Sequence, residues 1–127
     1  MSFESAITLA LRQELGDSGR IAERFIPYIQ MHEFEALLFA NPAVLATAIN
    51  RPDLTNTFTD IVTRCNGCET IDNSPSTAPS KRIIGVHPSY AKVSMGSVAA
   101  QKIGLGTMRK ACPHFNEWVG RLEKLAP

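Results

Sequence analysis

Residues His32-Glu33-Phe34-Glu35 set a histidine and two carboxylates at a point where the chain changes its apolar period. Phe25, Ile26, Tyr28 and Ile29 before them have strand character, whereas Phe34, Leu37 and Leu38 follow at i, i+3, i+4, the helical spacing. Carboxylates at i, i+2 share one side of an extended segment but lie about 200° apart on a helix, so their cooperation depends on where the junction falls. At the end of a strand that feeds a helix, such oxygens suit a hard divalent cation such as Mg²⁺. In the first turn of a helix the same acids complement the helix dipole. The spacing H-E-x-E is not the H-E-x-x-H of zinc proteases, which excludes that chemistry.

A second group begins at Thr77-Ala78-Pro79-Ser80-Lys81-Arg82 and continues to Tyr90 and Lys92. Hydroxyls and cations beside the free N–H groups of a helix start can cradle phosphate, and Tyr90 offers a face for a stacked base. The alternative is a solvated helix end with Ser80 as its cap. A third group is Cys65-Asn66-Gly67-Cys68 with Cys112-Pro113-His114. Its ligand count suits a Cys₃His zinc site, its spacing less so, and ordinary thiols or a redox pair are the other readings. His87 and His114 sit beside prolines and read as structural histidines. No G-x-x-x-x-G-K-[ST] or G-x-G-x-x-G loop occurs, so P-loop nucleotide hydrolysis is excluded.

The elements that must position these groups are mostly helical. Ser2 caps a helix carrying Phe3, Ile7, Ala10, Leu11 and Leu15, with Gly16 as its stop. A strand is expected over 24–30 and a helix over 33–39. Asn41-Pro42 opens a short helix to Ile49, and Arg51-Pro52-Asp53 breaks it before another with Leu54, Phe58, Ile61 and Val62 on one face. Residues 66–80 hold one bulky aliphatic residue, Ile71, among turn formers, and read as an exposed loop. A short helix follows over 81–86, although Ile83, Ile84 and Val86 also suit a strand, and another over 97–103 stops at Gly104, with further turns over 88–92 and from Thr107. Pro113 opens a last helix whose apolar stripe is Phe115, Trp118, Val119, Leu122 and Leu125.

The 127 residues suffice for one domain with its own core. A net charge of +1 conceals two halves: residues 1–80 carry five Lys/Arg against ten Asp/Glu, and residues 81–127 carry eight against two. The halves can neutralise each other on packing, or the acids can hold metal while the basic segment attracts a polyanion such as DNA or RNA. Neither a membrane span nor a signal peptide is indicated, and three cysteines argue for reduced thiols, so the expected compartment is the cytoplasm. One strand among helices needs partners from elsewhere: a dimer through its edges, unrecognised strands, or strands upstream.

Three stretches carry a family resemblance: RFIPYIQMHEFEALLFANP (24–42), TAPSKRIIGVHPSYAK (77–92) and CPHFNEWVGRLE (112–123). Together, over about residues 21–125, the chain resembles the later portion of a bacterial family labelled domain of unknown function 4276, whose members are similar to Toprim proteins. The resemblance implies Mg²⁺- or Mn²⁺-dependent phosphodiester chemistry, a nuclease acting on nucleic acid, and association with a partner ATPase in phage defence. It implies catalytic roles for His32, Glu33 and Glu35, metal ligation by Glu33 and Glu35, and phosphate contacts by Ser80, Lys81, Arg82, Tyr90 and Lys92. Family members begin with a strand ending in a V-E-G-x-T-E-like motif, which this sequence does not contain. The expectation is therefore the C-terminal part of a Toprim-like α/β domain, mostly α with one or few strands and its N-terminal strands absent, inactive alone. A non-catalytic module that docks on a partner or self-associates as a homodimer is the alternative.

Overall fold

The computed structural model describes residues 2–16, 24–31, 33–71 and 74–125. Eight α-helices are defined there: α1 Phe3–Leu15, α2 Glu35–Leu38, α3 Pro42–Ala48, α4 Thr55–Arg64, α5 Pro79–Val86, α6 Lys92–Ile103, α7 Leu105–Ala111 and α8 Pro113–Glu123. Two 3-10 turns, Pro52–Leu54 and Cys68–Thr70, precede α4 and follow it. None of these helices is long and apolar enough to cross a membrane. The residues divide into two compact units, one of 1–30 with 118–127 and one of 31–117, where the sequence leads to a single domain.

In the first unit, Ser2 caps α1 by accepting the Ser5 N–H at 3.1 Å. Gly16 ends α1 at φ 60°, a left-handed value that favours glycine, and its N–H donates to the Arg12 carbonyl. No residue of α1 is buried. The segment expected as a strand, 24–30, has no ladder partner among the described residues. Instead the Ile29 N–H donates to Glu4 Oε1 at 2.9 Å, and Tyr28 stacks on Trp118 with ring centroids 4.6 Å apart. A short apolar run is ambiguous in sequence because its periodicity reports burial of alternate residues and says nothing of who pairs with the backbone.

The second unit holds the core. Asn41 accepts the Val44 N–H at 3.2 Å, Pro42 occupies N1, and α3 runs as the sequence predicts. Leu38, Phe39, Leu45, Ile49, Phe58, Ile71, Ile83 and Ala99 are fully buried, drawn from α2 through α6. α3 packs on α4 and α6, and α2 packs on α5 and α6. Phe39 and Phe58 meet edge to face at 5.5 Å and 81°, a favoured aromatic geometry. Of the described residues in the stretch 66–80, expected as an exposed loop, Asn66, Thr70, Pro75 and Ser76 are exposed, whereas Cys68, Ile71, Ala78, Pro79 and Ser80 are buried, the last three at the start of α5.

Candidate functional site

α5 begins with Ala78 at the N-cap and Pro79 at N1, so no local side chain can accept its first N–H groups. The acceptor comes from 47 residues earlier: Glu33 Oε2 takes the Ser80 N–H at 2.8 Å. The Ser80 hydroxyl also donates to Glu33. Ser80 is thus a donor inside the helix and not its cap, correcting the reading of this motif. Partial burial pushes the Glu33 carboxyl up, but the two Ser80 hydrogen bonds, helped by the Lys92 and Lys81 charges, outweigh it and hold the group below its ordinary value. Glu33 is therefore ionised at neutral pH.

Because its folded value is depressed, Glu33 stabilises the fold above its unfolded value of 4.5, and that contribution is lost as pH falls through the lower folded value. Thermal melts should show a decline in stability below pH 4.5 that is shallower in Glu33→Gln, which retains an acceptor for Ser80 but cannot titrate. Identical acid limbs in the two proteins would overturn this account.

Glu35 opens α2 and is completely buried. The Tyr90 hydroxyl lies 3.5 Å from its Oε1, a long hydrogen bond, and the Lys92 ammonium lies 3.2 Å from its Oε2. Among the described residues Oε2 nevertheless makes no hydrogen bond, since the lysine meets it as a charge and not along a donor direction. Lys92 is the first residue of α6 and its side chain is 56% exposed, so it reaches the carboxylate from solvent. Burial, then the negative charge of Glu35 and Glu33, push the Tyr90 phenol well above its ordinary value, which keeps it a neutral donor. Gly96, one turn along α6, makes room: a Cβ there would stand 3.0 Å from the Tyr90 hydroxyl oxygen and 3.6 Å from Phe34. Alanine at this position would crowd the atom that faces Glu35.

The three motif stretches are thus only partly convergent. Glu33, Glu35, Ser80, Tyr90 and Lys92 form one cluster, and Lys81 contributes its charge to Glu33 from an exposed position. Arg82 faces elsewhere, donating through Nε to the Thr77 carbonyl at 2.8 Å with Nη2 3.9 Å from Cys65 Sγ. His32 lies outside the described residues. In donor type, the described residues that can hold a hard cation here are Glu33 and Glu35, and the buried Oε2 of Glu35, without a hydrogen bond among the described residues, is the oxygen with capacity to spare.

The cysteines pair differently from their C-x-x-C spacing. Cys68 Sγ lies 2.9 Å from Cys112 Sγ and 3.3 Å from the Ala111 carbonyl, while Cys65 faces Arg82. Hydrogen bonding from one thiol to the other sets them apart, with Cys68 lowered and Cys112 raised, the latter also by burial. Among the described residues no three His, Cys, Asp or Glu side chains converge as a metal-binding group. The C-P-H-F stretch instead builds the start of α8: Glu69 accepts the N–H groups of His114 and Phe115 at 3.0 and 2.9 Å. Glu33 and Glu69 solve the same problem. A helix that begins with proline behind a residue unable to cap it needs an acid from elsewhere, and Ala78-Pro79 and Cys112-Pro113 were the available signal.

No curated protein and no solved structure matches the chain. The sequence profile described as domain of unknown function (DUF4276) matches residues 3–123, which takes in α1 as well as the three motif stretches. With nearly its whole length matched, the chain belongs to the DUF4276 family.

Proposed function

We propose that this chain serves Toprim-like, Mg²⁺-dependent phosphodiester hydrolysis on nucleic acid, in a phage-defence setting with a partner ATPase. The observation that carries the reading is Glu35. A completely buried carboxylate whose Oε2 has no hydrogen bond among the described residues, and meets there a lysine that is 56% exposed, costs stability, and a purely structural position would be filled better by an apolar or amide side chain. Glu33 and Glu35 would hold the metal, which when bound lowers the pKa of its water and offsets charge on phosphoryl oxygens. Ser80 keeps Glu33 deprotonated and oriented, Tyr90 presents a neutral O–H beside Glu35, and Lys92 and Lys81 supply positive charge for phosphate. Arg82 is left out of the phosphate set because its guanidinium is committed to the Thr77 carbonyl.

The test is a calorimetric Mn²⁺ titration of the parent chain and of Glu35→Gln. Saturable binding in the parent that weakens at least about ten-fold in the variant is the expected result, the scale of losing a group that holds or orients the metal. Equal isotherms, or no Mn²⁺ binding by the parent, would sink the assignment.

One observation favours a second reading, an assembly module that docks on a partner or pairs with itself. α1 buries nothing and exposes Phe3, Ile7, Leu9 and Leu15, with Phe25 and Leu125 also exposed in the same unit. Light scattering should then report a dimer whose fraction falls on Phe3→Ser with Ile7→Ser. A monomer at every concentration would count against self-association.

A further inference from the structure

Cys68 and Cys112 stand 44 residues apart in sequence and meet sulfur to sulfur at 2.9 Å, both as free thiols. A different element holds each of them. Cys68 opens the 3-10 turn after α4, and Cys112 is the C-cap of α7, directly before Pro113 of α8. Asn66 and Gly67 take positive φ values of 59° and 129°, a sharp turn that parts Cys68 from Cys65 at the end of α4. Cys65 is left facing Arg82. The Cys68 thiol donates to the Ala111 carbonyl at 3.3 Å, which directs its proton away from Cys112 and leaves its sulfur to accept from the Cys112 thiol. That contact lowers the Cys68 thiol and raises that of Cys112, so Cys68 is the readier nucleophile. Both thiols are buried, yet their chain neighbours Gly67, Glu69 and Ala111 are partly exposed and Pro113 is exposed. A small oxidant has a short path to them. Glu69 already fastens the same two elements by accepting the His114 and Phe115 N–H groups.

We infer that Cys68 and Cys112 form a peroxide-sensitive modification site, closing to an internal disulfide that ties the turn after α4 to the start of α8. The oxidant is hydrogen peroxide. The Cys68 thiolate attacks one peroxide oxygen, the O–O bond breaks, and the departing hydroxide takes up the Cys68 proton as water. The Cys112 sulfur then attacks the Cys68 sulfenic acid. The S–S bond forms, the S–O bond breaks, and the second oxygen leaves as water with the Cys112 proton. Two thiols and one peroxide give one disulfide and two waters, the sulfurs losing the two electrons that the peroxide gains. The sulfurs need to approach by less than about 1 Å, because a disulfide spans about 2.05 Å. A bond across 44 residues restricts the unfolded chain, so the oxidised protein is the more stable form. The site is separate from the Glu33–Glu35 cluster and does not depend on metal.

Cys65→Ser leaves Cys68 and Cys112 as the two cysteines of the chain. The folded variant, treated with a few equivalents of hydrogen peroxide, then denatured in an alkylating reagent, should give an intact mass lacking two hydrogens and carrying no alkyl group. The product should run as a monomer without reductant and melt about 5 °C or more above the reduced protein. A dithiol reductant should restore both alkylation and the lower melting temperature. The parent should form the same bond with one thiol left to alkylate. Cys112→Ala should form no internal bond and carry a sulfenic acid at Cys68 that a dimedone probe captures. Two alkylated thiols after peroxide, bonds only between chains, or an oxidised product that melts below the reduced one would overturn the site. An internal bond in the parent that disappears in Cys65→Ser would assign the chemistry to Cys65 and overturn it equally.

Discussion

Glu35→Gln is expected to melt above the parent protein while losing Mn²⁺ binding. The carboxylate is completely buried, and among the described residues its Oε2 has no hydrogen bond and its counter-charge is a lysine whose side chain is more than half in solvent. Exchanging a buried ion pair for neutral groups of similar shape is often neutral or stabilising by about 1–4 kcal/mol. The usual penalty for removing one partner, an abandoned buried charge, does not arise because Lys92 can withdraw into water. Glutamine keeps the volume, and its amide can face the Tyr90 hydroxyl in either orientation. A gain of about 1 kcal/mol corresponds to a rise of roughly 3–5 °C for a chain of this size. Glu35→Ala is the contrasting variant. It empties the space beneath Tyr90 and leaves that hydroxyl without its partner, so it should cost about 2–3 kcal/mol. Differential scanning calorimetry on the three proteins, with and without Mn²⁺, checks both halves. If Glu35→Gln melted well below the parent and bound Mn²⁺ unchanged, the carboxylate would be a structural group and the functional reading would lose its support.

What the sequence made legible was local. Ser2 and Gly16 bounded α1, Asn41-Pro42 opened α3, and Gly104 separated α6 from α7, because each signal acts on backbone within a turn of itself. The grouping of Glu33, Glu35, Ser80, Tyr90 and Lys92 came through the motif stretches, and the structure brings these side chains together. Partnership across the chain was not legible. Nothing in Ala78-Pro79 names Glu33 as its acceptor, and grouping Cys65 and Cys68 with Cys112 did not reveal that Cys68 alone meets Cys112 while Cys65 faces Arg82. The extended segment before Met31 shows the same limit, since a short apolar run has equal claim to be a strand or a strand-like connection until its hydrogen-bond partners are known. Gly96 escaped notice because its meaning lies in what approaches it, the Tyr90 hydroxyl, and not in its own backbone.

Phe58→Ala is expected to lower stability by about 4 kcal/mol, the scale for emptying a fully buried aromatic position. Phe58 sits on α4 with its ring edge to face against Phe39, so truncation removes both the buried area and the aromatic contact. The collapse that could reduce the cost is restricted, because Leu45 in α3, Ile49 at its end and Leu54 in the turn before α4 belong to the same close-packed buried cluster. Phe39 is the C-cap of α2, and Glu35 begins the same four-residue helix. A helix that short is held by packing and not by its own hydrogen bonds, so loosening Phe39 reaches Glu35 directly. Urea unfolding should show a lower midpoint at similar slope, and Mn²⁺ affinity measured under conditions where the variant remains folded should fall as well. Phe58→Leu, which keeps most of the volume, should cost about 1–1.5 kcal/mol and leave metal binding near the parent value. A Phe58→Ala protein as stable as the parent would mean that the α2 to α4 packing is not what supports the carboxylate cluster.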